Sequence, residues 1–173
     1  MDNTEIKEAT IEQIPIIQQL AKECFPAAYI GIHSEEQNLY MMERMYNTES
    51  LVHQMTEGHS CFLLLFVNEE PVGYCAYKPH VSEEHTLYLD KLYLLPSHKG
   101  KGLGRLMVEK VMKVAESLHP QGYTIKLDVN RSNSARAFYE HLGFSVVRSW
   151  DAPIGNGFFM NGYEMKLSKP GGI

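Results

Sequence analysis

Cysteine is scarce in this chain, and its placement is uninformative in a useful way. Cys24, Cys61 and Cys75 are the three cysteines of 173 residues, and no two form a CxxC pair. That excludes a disulfide framework and a thiolate zinc site, and the histidines show no metal-ligand spacing either. Free thiols and the lack of a signal peptide predict a cytoplasmic protein. No apolar run reaches the roughly 18 residues that would suggest a membrane span. Positive charge is also in short supply. Sixteen Lys and Arg stand against 21 Asp and Glu, a formal charge of −5, whereas general nucleic-acid binding needs a basic face. Repeats, low-complexity segments and linkers are missing, so residues 1–173 read as a single domain. What is present is core-forming material. The chain is 44% hydrophobic and has ten tyrosines, enough for a folded interior that takes roughly 70% of the unfolded surface out of water.

The centre of the sequence is the stretch from Leu87 to Leu118. It opens as an apolar run bounded by Pro96, which predicts a buried β-strand. It closes as a helix with Leu103, Met107, Val111, Val114 and Leu118 on one stripe. Between them come Gly100, Gly102 and Gly104, with positive charge at Lys99, Lys101 and Arg105. A strand feeding a glycine-rich turn that starts a helix gathers unpaired backbone N–H groups and the positive end of a helix dipole at one point. Such a point suits a phosphate. The Walker pattern GxxxxGK[ST] fails because Arg105 and Leu106 follow Gly104, and the dinucleotide pattern GxGxxG fails because the glycines recur every second residue.

The rest of the chain alternates between the two periodicities. A short extended piece, Glu5 to Ala9, leads into a capping box of Thr10 and Gln13 and a helix to about Cys24, with Pro15 weakening its first turns. A second capping box, Ser34 to Gln37, starts a helix through about Tyr46, and a third helix runs from Thr48 to about Gly58. Strands are expected at Cys61 to Val67, Val72 to Lys78 and Thr86 to Leu95. After the central helix come a strand at Tyr123 to Val129, a helix capped by Ser132 or Asn133 and ended by Gly143, a strand from Phe144 to about Trp150, and a last one from Tyr163 to Leu167 after the turn Gly155-Asn156-Gly157. Gly171 and Gly172 are expected to fray. The plan is α+β, with a mixed sheet flanked by helices.

Two segments carry a family resemblance. Lys99-Gly100-Lys101-Gly102-Leu103-Gly104 resembles the pyrophosphate loop [RQ]xxGx[GA] of the GNAT superfamily of acetyl-CoA-dependent N-acetyltransferases, with lysine in place of the first arginine or glutamine. Lysine offers a point charge there in place of a planar fork. Asn133 to Phe144 resembles the Nx(x)AxxxYxxxGF segment of the same superfamily, and the element order is similar to the GNAT order. The resemblance implies a mostly antiparallel central sheet and transfer of an acetyl group from acetyl-CoA to an amine by direct attack in a ternary complex. It implies cofactor contacts from the loop Lys99 to Gly104, from Arg105 and Asn133, and from backbone amides of Leu92, Tyr93 and Leu94 where the strand splays. It also implies Tyr139 as general acid toward the leaving thiolate.

Asp90 is the nearest match to the acidic residue that many members place on this strand as a base. It is a carbon shorter than the more frequent glutamate, and an ion pair with the neighbours of Lys91 or a cap on a loop explains it equally well. Strand alternation places it on one face with Tyr88, Leu92 and Leu94. His80 and His85 are second choices. The regions Phe25 to Gly58 and Ile154 to Met160 are similar to the acceptor-groove segments of bacterial polyamine N-acetyltransferases, so Glu35, Glu36, Glu43, Glu49 or Asp90 are candidates to attract a polycation. Glu35 and Glu36 equally suit the first turn of a helix. Other acceptors stay open, namely a protein N-terminus, an amino acid or an antibiotic amine, as does a non-catalytic acyl-CoA-binding module. A homodimer is compatible with the family and invisible in the sequence.

Overall fold

The computed structural model describes residues 2–170, so Gly171 and Gly172 lie outside the described residues. Seven strands form one sheet in the order β1-β2-β3-β4-β5-β7-β6. They are β1 (Thr4–Glu8), β2 (Cys61–Val67), β3 (Glu70–Lys78), β4 (Thr86–Leu94), β5 (Gly122–Asn130), β6 (Ser145–Gly155) and β7 (Phe158–Pro170). Only β4 and β5 run parallel; every other neighbouring pair is antiparallel. Five α-helices cover the sheet, α1 (Ile14–Ala28), α2 (Glu35–Tyr46), α3 (Thr48–Met55), α4 (Leu103–Leu118) and α5 (Ala135–His141). This is the mixed, mostly antiparallel architecture expected from the element order.

The sheet is apolar on both faces because helices cover both. On one face Leu63, Leu87, Leu89, Ile125 and Leu127 pack against Met107, Val111 and Ala115 of α4. On the other, Phe62, Leu64 and Tyr74 pack against Ile17, Ala21 and Phe25 of α1 and against Tyr46 and Leu51. The continuous apolar run of β2 is explained by this double burial, with four successive residues, Phe62 to Leu65, buried.

Local chemistry sets the helix starts. The Thr10 amide donates to the Gln13 side chain at 2.9 Å, but over a short 3-10 turn, Ile11–Gln13, that precedes α1. Pro15 therefore occupies the first turn of α1, where its missing N–H costs no intrahelical bond. The helix also continues through Pro26 to Ala28, beyond the expected end at Cys24. Ser34 caps α2 by accepting from the Gln37 amide at 3.0 Å, while the Gln37 side chain reaches across to the Phe159 carbonyl instead of closing the box. β6 and β7 are much longer than the alternation suggests. Register shifts at Val146/Arg148 and Pro153/Gly155 break the two-residue period that a sequence pattern relies on, and Pro153 is tolerated because β6 is an edge strand.

Candidate active site

The parallel pairing of β4 with β5 runs from Thr86↔Thr124 to Leu89↔Leu127 and stops. Both strands continue, β4 to Leu94 and β5 to Asn130, so the sheet opens between them at its centre. Asp90 and Asp128 are the first residues past the last pair. A bulge adds to the opening. Ala76 pairs with Lys91 and Tyr77 with Leu89, which leaves Asp90 without a partner on β3.

The bulge also revises the face assignment of β4. Tyr88 and Asp90 line one cavity, whereas Leu92 and Leu94 pack with the opposite core and line another. One unpaired residue shifts the alternation by a step, so Asp90 does not share a face with Leu92 and Leu94. The Leu95 amide donates to the Val72 carbonyl of β3 at 2.8 Å. By strand alternation Tyr93 turns its amide to the same side, and the Leu92 and Leu94 amides face the opened edge.

Two cavities meet at this opening. The first, about 930 Å³, lies between the α4 N-terminus, α5 and the end of α1. Its floor is built by the glycine loop. Gly100 and Gly102 have φ of +80° and +78°, and nothing lies within 4 Å of the place a Cβ would take at either. Gly102 is the N-cap of α4 and no side chain caps the helix, so the first-turn amides keep their hydrogen-bonding capacity for a ligand. Lys99 and Arg105 add positive charge beside them, with Arg105 also paired to Glu109 at 3.3 Å. Every residue expected from the sequence to touch the cofactor lines this cavity except Lys101, which is exposed between the two left-handed glycines.

Tyr139 projects from α5 into the same cavity. Phe138 and Phe144 meet its ring edge-on at centroid distances of 5.1 and 5.6 Å, and no hydrogen-bond partner holds its hydroxyl among the described residues. Burial pushes its phenol well above the ordinary tyrosine value, so the group stays protonated through the neutral range. Asn133 also lines the cavity, and its Oδ1 accepts from the Ala135 amide at 2.9 Å, which makes it the side chain that opens α5. Cys24 reaches the wall, yet burial and then Glu23 push its thiol up to about 12 against the opposing Lys99, which leaves it a poor nucleophile.

The second cavity, about 340 Å³, lies on the α1 and α2 face and is walled by aromatic rings with Asp90, Asp128 and Arg44 among them. Tyr93 belongs to both walls. Asp90 is joined to buried Lys91 at 2.5 Å, and the same ammonium donates to Gln54 of α3 at 2.8 Å. Of the acids expected to attract a cation, only Asp90 is in the cavity wall. His80 lines neither cavity, and His85 faces His119, their Nδ1 atoms 3.2 Å apart. Asp128, Tyr88, Tyr40 and Trp150 were not singled out by the sequence pattern. On β5 the alternation groups Asp128 with Thr124 and Lys126 as an ordinary polar face, and only the parting of the strands distinguishes it.

The sequence profile of the acetyltransferase (GNAT) family matches residues 14–144. The chain belongs to that family. Among similar proteins, a spermidine N(1)-acetyltransferase of Thermoplasma acidophilum is 29% identical to this acetyltransferase over 150 residues, covering 82% of this chain and 88% of the relative. A ribosomal protein bS18-alanine N-acetyltransferase of Haemophilus influenzae is 30% identical over 115 residues, covering 61% and 75%. The crystal structure of the PaiA N-acetyltransferase of T. acidophilum in complex with coenzyme A superposes with a TM-score of 0.79 at 23% identity, over 96% of this chain and 99% of that one. Acetyl-CoA is the cosubstrate of this acetyltransferase. The uncapped α4 amides, the two left-handed glycines and the flanking cations fit its pyrophosphate.

Proposed function

We propose that this acetyltransferase moves the acetyl group of acetyl-CoA to a primary amine of a small polyamine, by direct attack within a ternary complex. One observation carries the reading. A small aromatic cavity bearing two aspartates opens beside a larger one with an anion-binding floor, and Tyr93 is their shared wall.

In this reading the amides of Gly100 to Arg105, with Lys99, hold the pyrophosphate, and Asn133 steadies the pantetheine side. The Leu92 and Leu94 amides, released where β4 leaves β5, receive the arm and polarise the thioester oxygen as it gains charge. An aliphatic amine has a pKa of about 10.4 and arrives protonated. Asp90 takes one proton of that ammonium through water, after which the nitrogen attacks the carbonyl carbon, the C–S bond breaks, Tyr139 gives its proton to the departing sulfur, and the second proton of the acylated nitrogen returns to the Tyr139 oxygen. The whole chain acts as one catalytic domain. The spermidine acetyltransferase relative supports a polyamine.

The test is thiol release from acetyl-CoA across a panel of polyamines, amino acids and a peptide beginning with alanine. Release driven by polyamines, with turnover lowered at least tenfold by Tyr139→Phe and acetyl-CoA affinity kept, supports the proposal. Selective use of the peptide would transfer the reading to protein N-termini, and tight acetyl-CoA binding without any acceptor would make the chain a binding module.

A further inference from the structure

The two carboxylates of the second cavity are compensated differently. Asp90 has a full counter-ion in Lys91, 2.5 Å away. Asp128 has two neutral donors instead: the Tyr88 hydroxyl on Oδ2 at 2.7 Å and the Trp150 indole N–H on Oδ1 at 2.8 Å. Burial, followed by this hydrogen bond to Asp128, raises the Tyr88 phenol far above its usual range, so Tyr88 remains a donor. These contacts fix the direction of the carboxylate without cancelling its charge.

The cations around Asp128 are committed elsewhere. Lys126 on its own strand pairs with Glu83 at 2.7 Å, Arg148 with Glu164 at 2.5 Å, and Arg131 with Asp151 at 2.5 Å. Arg44 donates to the Ile154 carbonyl and to the Tyr40 hydroxyl. Among the described residues no lysine, arginine or histidine pairs with Asp128. Its cross-strand neighbour is Glu164, and Asp90 stands next to it across the strand opening. Those two acids have their own cations, Lys91 on Asp90 and Arg148 and Lys166 on Glu164, so Asp128, held rigid in a cavity wall shared with the rings of Tyr88, Tyr40 and Trp150, is the carboxylate arranged for an ammonium ion.

We infer that Asp128 is the seat of a second, distal ammonium, so that the preferred acceptor is a terminal diamine or longer polyamine whose reacting amine lies at Asp90. The inference rests on the acetyl-transfer reading and adds to it the residue that separates diamines from monoamines. Asp128 is exposed at the cavity wall, so the attraction is partly screened, and the gain from a charged hydrogen bond is about tenfold in affinity.

The experiment compares putrescine with butylamine, which has the same carbon chain and one amine fewer. The intact protein should favour putrescine about tenfold in kcat/KM, mainly through KM. Asp128→Asn should erase that ratio, Asp128→Glu should restore part of it, and coenzyme A affinity by calorimetry should be unchanged in both. Equal use of the two amines, or a ratio indifferent to Asp128→Asn, overturns the inference while acetyl transfer stands. If no amine releases thiol, the acetyl-transfer reading has failed, and calorimetric titration of putrescine into the coenzyme A-loaded protein decides the subsite. Binding weakened by Asp128→Asn sustains it there, and binding that is absent or unaltered overturns it.

Discussion

The hydroxyls of Tyr29 and Tyr93 lie 3.0 Å apart, tying α1 to β4 at the partition between the two cavities. Burial raises both phenols above their usual value, so both stay neutral and one donates to the other. Tyr93→Phe would leave the buried Tyr29 hydroxyl without a partner, at a cost of about 1–2 kcal/mol. Urea unfolding should show that loss. Because Tyr93 borders both cavities, steady-state kinetics should show KM rising for acetyl-CoA and for the amine together, while a purely structural contact would leave both unchanged.

Gly102→Ala tests the floor of the larger cavity. Nothing would collide with the new methyl group, so the effects are the left-handed φ of +78°, worth roughly 1–2 kcal/mol, and a methyl placed where the pyrophosphate must approach. Coenzyme A affinity by calorimetry should fall at least tenfold, with the melting temperature lowered by a few degrees at most. Unaltered affinity would remove the loop from the cofactor site.

Gly162 makes room for Trp150. A Cβ there would come within 2.5 Å of the indole, and the two residues are paired across β6 and β7. The bare backbone lets Trp150 lie over β7 and reach Asp128 on β5. Gly162→Ala should displace the ring, weaken acceptor binding severalfold and leave coenzyme A binding intact. The fluorescence of Trp150, the one tryptophan in the chain, reports the displacement directly.

Stability should fall in alkali. Tyr46, Tyr74, Tyr77, Tyr88, Tyr93 and Tyr139 all have phenols raised by burial. A group that holds its proton more tightly when folded contributes fully below its unfolded pKa, and the contribution is lost as pH rises through the folded value. Unfolding free energy should therefore be steady up to about pH 10 and decline steeply above it. Phenolate absorbance from these six of the ten tyrosines should appear together with the loss of helical circular dichroism. More than four phenolates forming well before unfolding would contradict the burial of these rings.

The glycine loop and α4 were legible because their signals are local. Three glycines, three cations and the stripe from Leu103 to Val111 sit within a few turns of chain, and backbone sterics act on neighbours. The extents of β6 and β7 were less legible, since each register shift discards the alternation by which strands are recognised. Strand alternation grouped Asp90 rightly with Tyr88 but wrongly with Leu92 and Leu94, because one bulged position inverts everything after it.

By itself the sequence determined the element order, a mixed sheet flanked by helices and the glycine-rich turn that opens α4, since periodicity, caps and turn residues act on neighbours close in the chain. The tertiary structure alone decided where β4 leaves β5, that the Lys91 ammonium joins Asp90 to Gln54 of α3, and that Tyr88 and Trp150 grip Asp128 between them. Those relations join residues on different strands and helices, and which counter-ions or donors a carboxylate meets depends on the groups that packing brings beside it.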